Sequence, residues 1–116
     1  MEHFKHTTSI NEIIELSRKE PLLIFKHSLT CPVSAGAYKR MIEGLEKGLI
    51  LYPTYIVIVQ KDRELSNEIA KKLEVIHESP QLILVRDEKA VYDTSHSNIQ
   101  VENIPKVSIE KINPTI

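Results

Sequence analysis

The amino-acid sequence predicts an α/β fold in which a central mixed four-stranded sheet is flanked by helices. Four short apolar runs read as strands, and three segments with apolar residues at helical spacing read as helices. The last two strands follow each other across a polar turn, with no helix between them. A chain of 116 residues is long enough for one domain with its own core. We therefore expect one domain over residues 1–116, with residues 1–8 and 106–116 as peripheral tails.

Composition and charge exclude several classes of function. Apolar residues make up 41% of the chain and charged residues 27%, and the formal net charge is -1. Because both signs of charge are interspersed, neither nucleic acid nor an anionic membrane is expected as the main partner. No apolar run approaches the roughly 20 residues that span a bilayer, and the N-terminus has no apolar signal core. A cytoplasmic protein is therefore expected, and its oligomeric state stays open.

The first helix and the first strand are marked by the residues that start and stop them. Ser9 and Glu12 form a capping box, which predicts a helix over about residues 10–19. Pro21 prevents that helix from continuing. The continuous apolar run 22–25 that follows is typical of a strand buried on both faces.

The second helix and the second strand complete a crossover unit. Ala37, Met41 and Leu45 recur every four residues, and Gly48 supplies a C-terminal cap. The β-branched and aromatic run 55–59 then predicts a second strand. A strand, a helix and a strand in this order indicate a parallel pair.

The remaining elements are a third helix, a hairpin and a short final helix. Asp62 is the predicted cap of the third helix. The runs 82–85 and 90–92 predict the two strands of the hairpin. A second capping-box pattern begins at Ser97 and predicts a final helix of about two turns, which ends before Pro105.

The order of the elements reduces the number of folds that fit the sequence. An αβαβαββ order with a hairpin at its end matches a thioredoxin-like architecture better than a doubly wound sheet, which would continue to alternate strands and helices. The strand over residues 21–26 should then lie in the centre of the sheet.

Cys31 is the only cysteine, so an internal disulfide is impossible. It lies between the first strand and the second helix, and Pro32 suits the first helical position, so Cys31 is expected at the N-cap. Free amides and the positive end of the helix dipole stabilise a thiolate there, and the thiolate is the form that attacks a disulfide. A cysteine that serves only for packing is the alternative.

The spacing around Cys31 predicts monothiol chemistry. Ser34 stands where a second cysteine would resolve a mixed disulfide from within, and a hydroxyl cannot do so. Another thiol must therefore remove any adduct from Cys31. Ser79 and Pro80 precede the third strand, where thioredoxin-like proteins hold a cis proline against the active-site loop. We expect a cis bond at Pro80 and a groove that pairs with an extended substrate.

Three segments together resemble the YtxJ proteins of the bacillithiol system, which are monothiol bacilliredoxins. These segments are residues 26–34, 77–81 and 94–97, and the likeness extends from about residue 10 to residue 104. The tail after Pro105 departs from the family, which usually closes with a longer amphipathic helix.

The resemblance implies an enzyme that reduces mixed disulfides between protein cysteines and bacillithiol. Cys31 would be the nucleophile, and a second bacillithiol would clear the adduct, so that bacillithiol is a co-substrate and no cofactor is needed. Bacillithiol and S-bacillithiolated proteins would be the partners. Within the active-site loop of Thr30, Pro32, Val33 and Ser34, the resemblance implies that Pro32 and Ser34 shape and hydrogen-bond the thiolate. It further assigns to the site the groove residues Ser79 and Pro80, and it places His96 and Ser97 nearby.

Other readings stay open beside this one. Lys26 and His27 end a strand just before Cys31, so either could lend positive charge to the thiolate, or both could be a solvated strand end. No metal site is expected, because no pair of histidines has a ligand spacing. An iron–sulfur carrier of the monothiol glutaredoxin kind is one alternative function, although the glycine pair of those proteins is replaced at residues 94–97. A catalytically idle thioredoxin-like adaptor is another.

Overall fold

The computed structural model describes residues 3–107. Residues 1 and 2 of the predicted N-terminal tail and residues 108–116 of the predicted C-terminal tail therefore lie outside the described residues. Three α-helices and four strands form the domain: α1 Ile10–Ser17, β1 Leu22–His27, α2 Pro32–Glu46, β2 Thr54–Ile58, α3 Arg63–Leu73, β3 Gln81–Arg86 and β4 Lys89–Ser95. Two 3₁₀ helices of three residues each follow, His96–Asn98 and Val101–Asn103.

The four strands form one mixed sheet in the order β2-β1-β3-β4. β1 pairs parallel with β2 and antiparallel with β3, and β3 pairs antiparallel with β4. The predicted α/β class, the hairpin at the end and the interior place of the first strand are all confirmed.

The sheet separates two apolar layers because successive side chains of a strand point to opposite faces. Leu23 and Phe25 of β1 pack with α2 on one face, and Leu22 and Ile24 pack with α1 and α3 on the other. All six residues of β1 are buried. The strand that leads to Cys31 is therefore fixed from both sides.

The N-terminal segment contributes to the core, so the expectation that residues 1–8 are peripheral is wrong for Phe4 and Lys5. Phe4 is buried and stacks on Phe25, with ring centroids 5.9 Å apart. Lys5 forms a parallel bridge with Tyr55 on the outer edge of β2. A single aromatic residue has no periodic pattern around it, and for this reason sequence reasoning missed the contact.

The predicted final helix is also wrong. Ser97 lies inside the first 3₁₀ helix, where its carbonyl accepts a hydrogen bond from Gln100 Nε2 (3.0 Å). Ile99 separates the two 3₁₀ helices with an extended backbone and a fully buried side chain. Its carbonyl accepts a hydrogen bond from Arg40 Nε of α2 (2.7 Å). These contacts between Ile99 and the core override the local helix signal.

Candidate active site

Cys31 is the N-cap residue of α2, as predicted. Its backbone is extended (φ -103°, ψ 120°), and Pro32 follows as the first helical residue. The Cys31 carbonyl accepts the hydrogen bond of Ala35 N–H (3.0 Å), while the thiol is partly exposed. This position places Cys31 at the end of the helix where the first backbone amides have no partner within the helix.

The loop before Cys31 is held by Gln60, which sequence reasoning missed. Gln60 Oε1 accepts the backbone N–H of Leu29 (3.1 Å), and its Nε2 donates to Ser28 Oγ (2.8 Å) and more weakly to Thr30 Oγ1 (3.4 Å). Gln60 follows the end of β2, and the carboxyl ends of two parallel strands meet at one edge of a sheet. That position was the signal that could have identified it.

Ser34 is fully buried and forms hydrogen bonds with residues other than Cys31. Its Oγ accepts the backbone N–H of Ser28 (2.9 Å) and lies 2.7 Å from Nδ1 of His27. Among the described residues, the side chain of Cys31 makes no capping hydrogen bond. Ser34 therefore ties the start of α2 to the end of β1.

His27 is buried between two rings. Its imidazole stacks on Phe25 (centroids 5.7 Å apart) and on Tyr38 of α2 (4.8 Å). Burial lowers the pKa of His27, so the ring is neutral at neutral pH. The expectation that His27 lends positive charge to the thiolate is therefore wrong, as is the alternative of a solvated strand end.

Lys26 is buried on the opposite face of the sheet. Its ammonium donates to the carbonyl of Ser66 in α3 (3.0 Å) and lies 3.1 Å from Nδ1 of His77. Burial lowers the pKa of Lys26 to about 8. Lys26 is thus no solvated strand end either, and its hydrogen bonds lead to His77 rather than to Cys31.

His77 is the exposed end of this cluster. Burial of the ring atoms, and then the neighbouring Lys26 ammonium, lower the pKa of His77. The neutral ring can accept a hydrogen bond from the Lys26 ammonium through Nδ1. His77 precedes the predicted groove residues by two positions, so a buried lysine fixes the segment that leads into the groove.

The Ser79–Pro80 peptide bond is cis, as predicted. Pro80 is buried, and its carbonyl accepts the backbone N–H of His96 (3.1 Å). The Oγ of Ser79 is buried and has no hydrogen-bond partner among the described residues. The predicted groove residues and His96 are therefore neighbours.

His96 also faces an acidic residue that sequence reasoning did not assign to the site. Its Nε2 lies 3.5 Å from Oε1 of Glu78, and both side chains are about half exposed. His96 adopts a positive φ of 57°. Ser97 is exposed, and because it lies within a 3₁₀ turn it does not cap a helix that could bind a carboxylate.

Sheet register explains how these distant segments meet. Lys26 at the end of β1 pairs with Gln81 at the start of β3, and Gln81 pairs in turn with Ser95 at the end of β4. The chain after β1, the chain before β3 and the chain after β4 therefore emerge at one edge of the sheet. This edge carries every residue that the sequence assigned to the site, and the first 3₁₀ helix packs there against α2.

An apolar groove of about 780 Å³ lies at the opposite end of the molecule. Its walls include Pro21 before β1, Leu49 and Leu51 after α2, and Ile104. None of the predicted site residues lines it. Over residues 3–107, no helix is long and apolar enough to cross a membrane, and no group of three histidine, cysteine or acidic residues could hold a metal ion.

Comparisons with known proteins agree with this geometry. A solved structure with a thioredoxin fold, described as a candidate oxidoreductase, is 34% identical, with a TM-score of 0.72 over 84% of this chain and 86% of that one. Thioredoxin O2 of Arabidopsis thaliana (20% identity, TM-score 0.64, 84% and 85% covered) and a Fasciola hepatica thioredoxin (18%, 0.60, 81% and 85%) share the fold. The model of the family "Monothiol bacilliredoxin BrxC" matches residues 2–104. With its single cysteine at the N-cap of α2, this chain belongs to the monothiol bacilliredoxin family of thioredoxin-fold proteins, whose chemistry is thiol redox chemistry.

Proposed function

We propose that the protein is a thiol–disulfide oxidoreductase that reduces mixed disulfides between protein cysteines and bacillithiol. The observation that supports this most is the contrast between Cys31 and Ser34. The thiol is partly exposed at a helix start, whereas the side chain three residues later is a buried hydroxyl that is hydrogen-bonded to its neighbours. A cysteine in this setting can attack a disulfide but has no internal thiol to resolve the product.

The proposed reaction has two exchange steps. The Cys31 thiolate attacks the bacillithiol sulfur of the mixed disulfide, a new S–S bond forms, and the protein thiolate leaves and takes a proton from water. A second bacillithiol thiolate then attacks the bacillithiol sulfur on Cys31. Oxidised bacillithiol leaves and the Cys31 thiolate is restored, so the two electrons come from bacillithiol and no bound cofactor takes part.

The segments before β3 and after β4 would supply the proposed substrate contacts. Ser79 and Pro80 would lie along an extended protein substrate, and His96 and Ser97 would contact the small thiol. Glu78 changes the charge of this edge, because its carboxylate faces His96. A carboxylate group of bacillithiol would therefore have to approach His96 from the side away from Glu78, or displace the Glu78 carboxylate from His96.

Intact-mass measurement tests the first step directly. The reduced protein is exposed to oxidised bacillithiol and, in parallel, to oxidised glutathione. We expect one bacillithiol adduct, formed faster than the glutathione adduct and released by added bacillithiol. Cys31→Ser should form no adduct, which fixes the site of attachment.

The variant Ser34→Ala separates attack from resolution. Because a hydroxyl cannot resolve a disulfide, Ser34→Ala should keep much of the exchange, whereas Cys31→Ser should lose all of it. Release of bacillithiol from a bacillithiolated protein substrate is the measurement for both variants. A folded Ser34→Ala protein as inactive as Cys31→Ser would contradict the monothiol mechanism.

Adduct formation, together with a reconstitution assay, distinguishes the proposed function from the other candidate functions. A Cys31 thiol that forms no adduct with either disulfide would favour the idle adaptor. Visible absorption from a cluster that appears on reconstitution with iron and sulfide, and is lost in Cys31→Ser, would favour the iron–sulfur carrier. Equal reaction with both disulfides would retain the oxidoreductase but remove the preference for bacillithiol.

A further inference from the structure

The loop of residues 74–80, which joins α3 to β3, is held to the sheet by neutral hydrogen bonds and by a charged one. The neutral bonds come from Gln81, whose Nε2 donates to the carbonyl of Ile76 (2.9 Å) and whose Oε1 accepts the N–H of Glu78 (3.4 Å). An amide side chain does not titrate, so neither bond depends on pH. Any pH dependence of the loop must come from its other contacts.

The charged hydrogen bond joins the loop to the central strand. The ammonium of Lys26 in β1 lies 3.1 Å from Nδ1 of His77, and it also donates to the carbonyl of Ser66 in α3 (3.0 Å). An ammonium has protons and no lone pair, so it can only donate a hydrogen bond, and Nδ1 must accept one. A neutral His77 in this contact therefore carries its proton on Nε2.

A proton on Nδ1 of His77 is incompatible with this contact. A protonated imidazole has an N–H at both nitrogens and no acceptor. Two cations would then face each other at 3.1 Å, beside a fully buried Lys26 where charges are poorly screened. The Oγ of Ser66 lies 3.5 Å from Nδ1, so it can offer the imidazolium only a weak hydrogen bond in exchange.

The other charged groups that face His77 do not remove this conflict. Burial of the ring lowers the pKa of His77 most, the Lys26 ammonium lowers it further, and Arg63 in α3 acts in the same direction, while Glu78 raises it. Glu78 is itself shared with His96, which lies 3.5 Å from its carboxylate. The pKa of Lys26 is about 8, so Lys26 is still a cation when His77 takes up a proton, below its ordinary value of 6.5.

We propose that the contact between Lys26 and His77 is a pH-sensitive switch, in which protonation of His77 breaks the hydrogen bond and releases the loop of residues 74–80 from β1. The imidazolium turns to solvent, to which His77 is already exposed, and Lys26 keeps the carbonyl of Ser66 as its partner. The neutral hydrogen bonds from Gln81 remain, so the loop loosens without unfolding the domain.

The switch would act on the part of the molecule to which substrate contacts are assigned. The released loop contains Ser79 and Pro80, the residues proposed to lie along an extended protein substrate. The proposal itself involves neither Cys31 nor a small thiol. Its failure and the failure of the proposed function are therefore distinguishable.

Hydrogen exchange followed by mass spectrometry tests the switch in the full-length protein. Exchange of the peptide that covers residues 74–80 is measured from about pH 5 to 8 and divided by the intrinsic exchange rate at each pH. Protection of this peptide should fall by about tenfold in acid, the size expected for the loss of one charge-assisted hydrogen bond. A peptide from β1 should stay protected throughout. Loop protection that does not change with pH would overturn the proposal.

His77→Gln is the conservative variant. The Oε1 of glutamine can accept a hydrogen bond from Lys26 and does not titrate, so the loop should stay protected at every pH. His77→Ala has no acceptor, and its loop should be poorly protected at every pH. His6→Gln, at an exposed histidine outside the loop, is the matched control and should behave as the wild type. A His77→Gln protein that keeps the wild-type pH dependence would contradict the proposal.

His96→Gln separates the switch from the neighbouring pair of Glu78 and His96. Protonation of His96 strengthens its attraction to Glu78, so this pair should hold the loop more firmly in acid, which is the opposite direction. The variant should therefore still lose loop protection as the pH falls. If His96→Gln abolishes the loss, the pH dependence belongs to that pair and the proposal fails.

In Lys26→Met, local and global stability should move in opposite directions. Without the ammonium, Nδ1 of His77 loses its donor, and the loop should be about as poorly protected at pH 7 as it is in the wild type in acid. The whole domain should nevertheless be more stable towards urea, because a buried cation without an anionic partner has been removed. A loop that stays fully protected at pH 7 in this variant would exclude the switch.

The wild-type protein provides a measurement that does not depend on the folding of any variant. Long-range ¹⁵N–¹H spectra of histidine-labelled protein distinguish a proton on Nδ1 from one on Nε2. The neutral ring of His77 should carry its proton on Nε2, and its titration should coincide with the loss of loop protection. A neutral ring protonated on Nδ1, or a titration clearly separated from the loss of protection, would overturn the proposal.

Discussion

Lys26 is the residue whose burial is hardest to reconcile with stability alone. Its ammonium is fully buried, and its hydrogen bonds go to a carbonyl and an imidazole rather than to a carboxylate. Removing a cation from water without an anionic partner has a cost. Protein stability should therefore improve when the charge at this position is removed, either by pH or by mutation.

The pH dependence follows from the sign of the shift. The pKa of Lys26 is about 8 in the folded protein and 10.5 when the side chain is free. Between these values the unfolded chain binds more protons than the folded one, so this lysine makes the free energy of unfolding rise with pH over that interval. Below about pH 8 the destabilisation is fully present.

Urea denaturation of Lys26→Met at several pH values measures this effect. At pH 7 the variant should be more stable than the wild type by about 1–3 kcal/mol, and the difference should shrink as pH approaches 10.5. Tyr55, whose pKa is raised by burial, titrates in both proteins and cancels in the comparison. Lys39→Met, at an exposed lysine of α2, is the control and should show no such trend. A less stable Lys26→Met would mean that the hydrogen bonds outweigh the buried charge.

The residues of the site differ in how far the sequence reveals them. Cys31, Ser34 and Pro80 are visible from local signals: a proline after a cysteine, a spacing, and a proline before a strand. Gln60 and Glu78 are invisible in that way, because their partners lie in distant segments. His27 shows most clearly that neighbours in sequence do not determine the environment of a side chain. Its position beside the cysteine suggested a charge, but the alternation along β1 places it in an aromatic layer where a neutral ring is favoured.

At the scale of elements, α2 contains two glycines in different surroundings. A Cβ on Gly44 would lie 2.8 Å from Val101 Cγ2 and 2.9 Å from Ile50 Cδ1, whereas one on Gly36 would meet only the end of the Arg40 side chain at 3.5 Å. Gly44 therefore permits the close approach of the second 3₁₀ helix to α2. Gly36 has no such role.

The two glycine-to-alanine variants should shift stability in opposite directions. Gly36→Ala should stabilise the protein by about 0.5–1 kcal/mol, because alanine is the better helix former. Gly44→Ala gains the same propensity but forces two side chains apart, and its net effect should be a loss of about 1–2 kcal/mol. Thermal unfolding of both variants measures the difference. Equal stabilisation would show that Ile50 and Val101 move aside freely.

Elements were more predictable than their ends. The strands and α1 to α3 follow from periodicity, and Ser9 does accept the N–H of Glu12 (3.2 Å) as its capping pattern predicts. Asp62 is the N-cap residue of α3 as predicted, but its side chain makes no capping hydrogen bond. The pattern beginning at Ser97 has the same form but gives no helix. The difference is tertiary, because the burial of Ile99 requires an extended residue where a helix would continue.

At the scale of the whole molecule, the aromatic cluster joins three separate parts of the chain. Phe4 lies 5.9 Å from Phe25 and 5.7 Å from Tyr38, and the rings of Phe25 and Tyr38 enclose His27. The N-terminal segment, the central strand and the active-site helix thus share one packing unit. A substitution that removes the packing of Phe4 should therefore lower the stability of the whole domain.

Phe4→Ala tests that coupling. Loss of a buried phenylalanine from this cluster should reduce the free energy of unfolding by about 3–5 kcal/mol. His6→Ala, at an exposed position two residues later, should change it by less than about 0.5 kcal/mol. Urea denaturation with one shared transition is the expected behaviour of both variants. A Phe4→Ala protein as stable as the His6 variant would show that the segment is dispensable.

The central sheet separates the side-chain contacts of Lys26 from those of His27, and this separation has a use in protein engineering. Lys26 is hydrogen-bonded to Ser66 and His77 on one face of the sheet. His27 is hydrogen-bonded to Ser34 and stacks on Tyr38 on the other face, although Lys26 and His27 are adjacent in sequence. Libraries built at Ser66 and His77 can therefore be screened separately from libraries at Ser34 and Tyr38. Improvements found on each side should combine almost additively, because no side chain belongs to both sets of contacts.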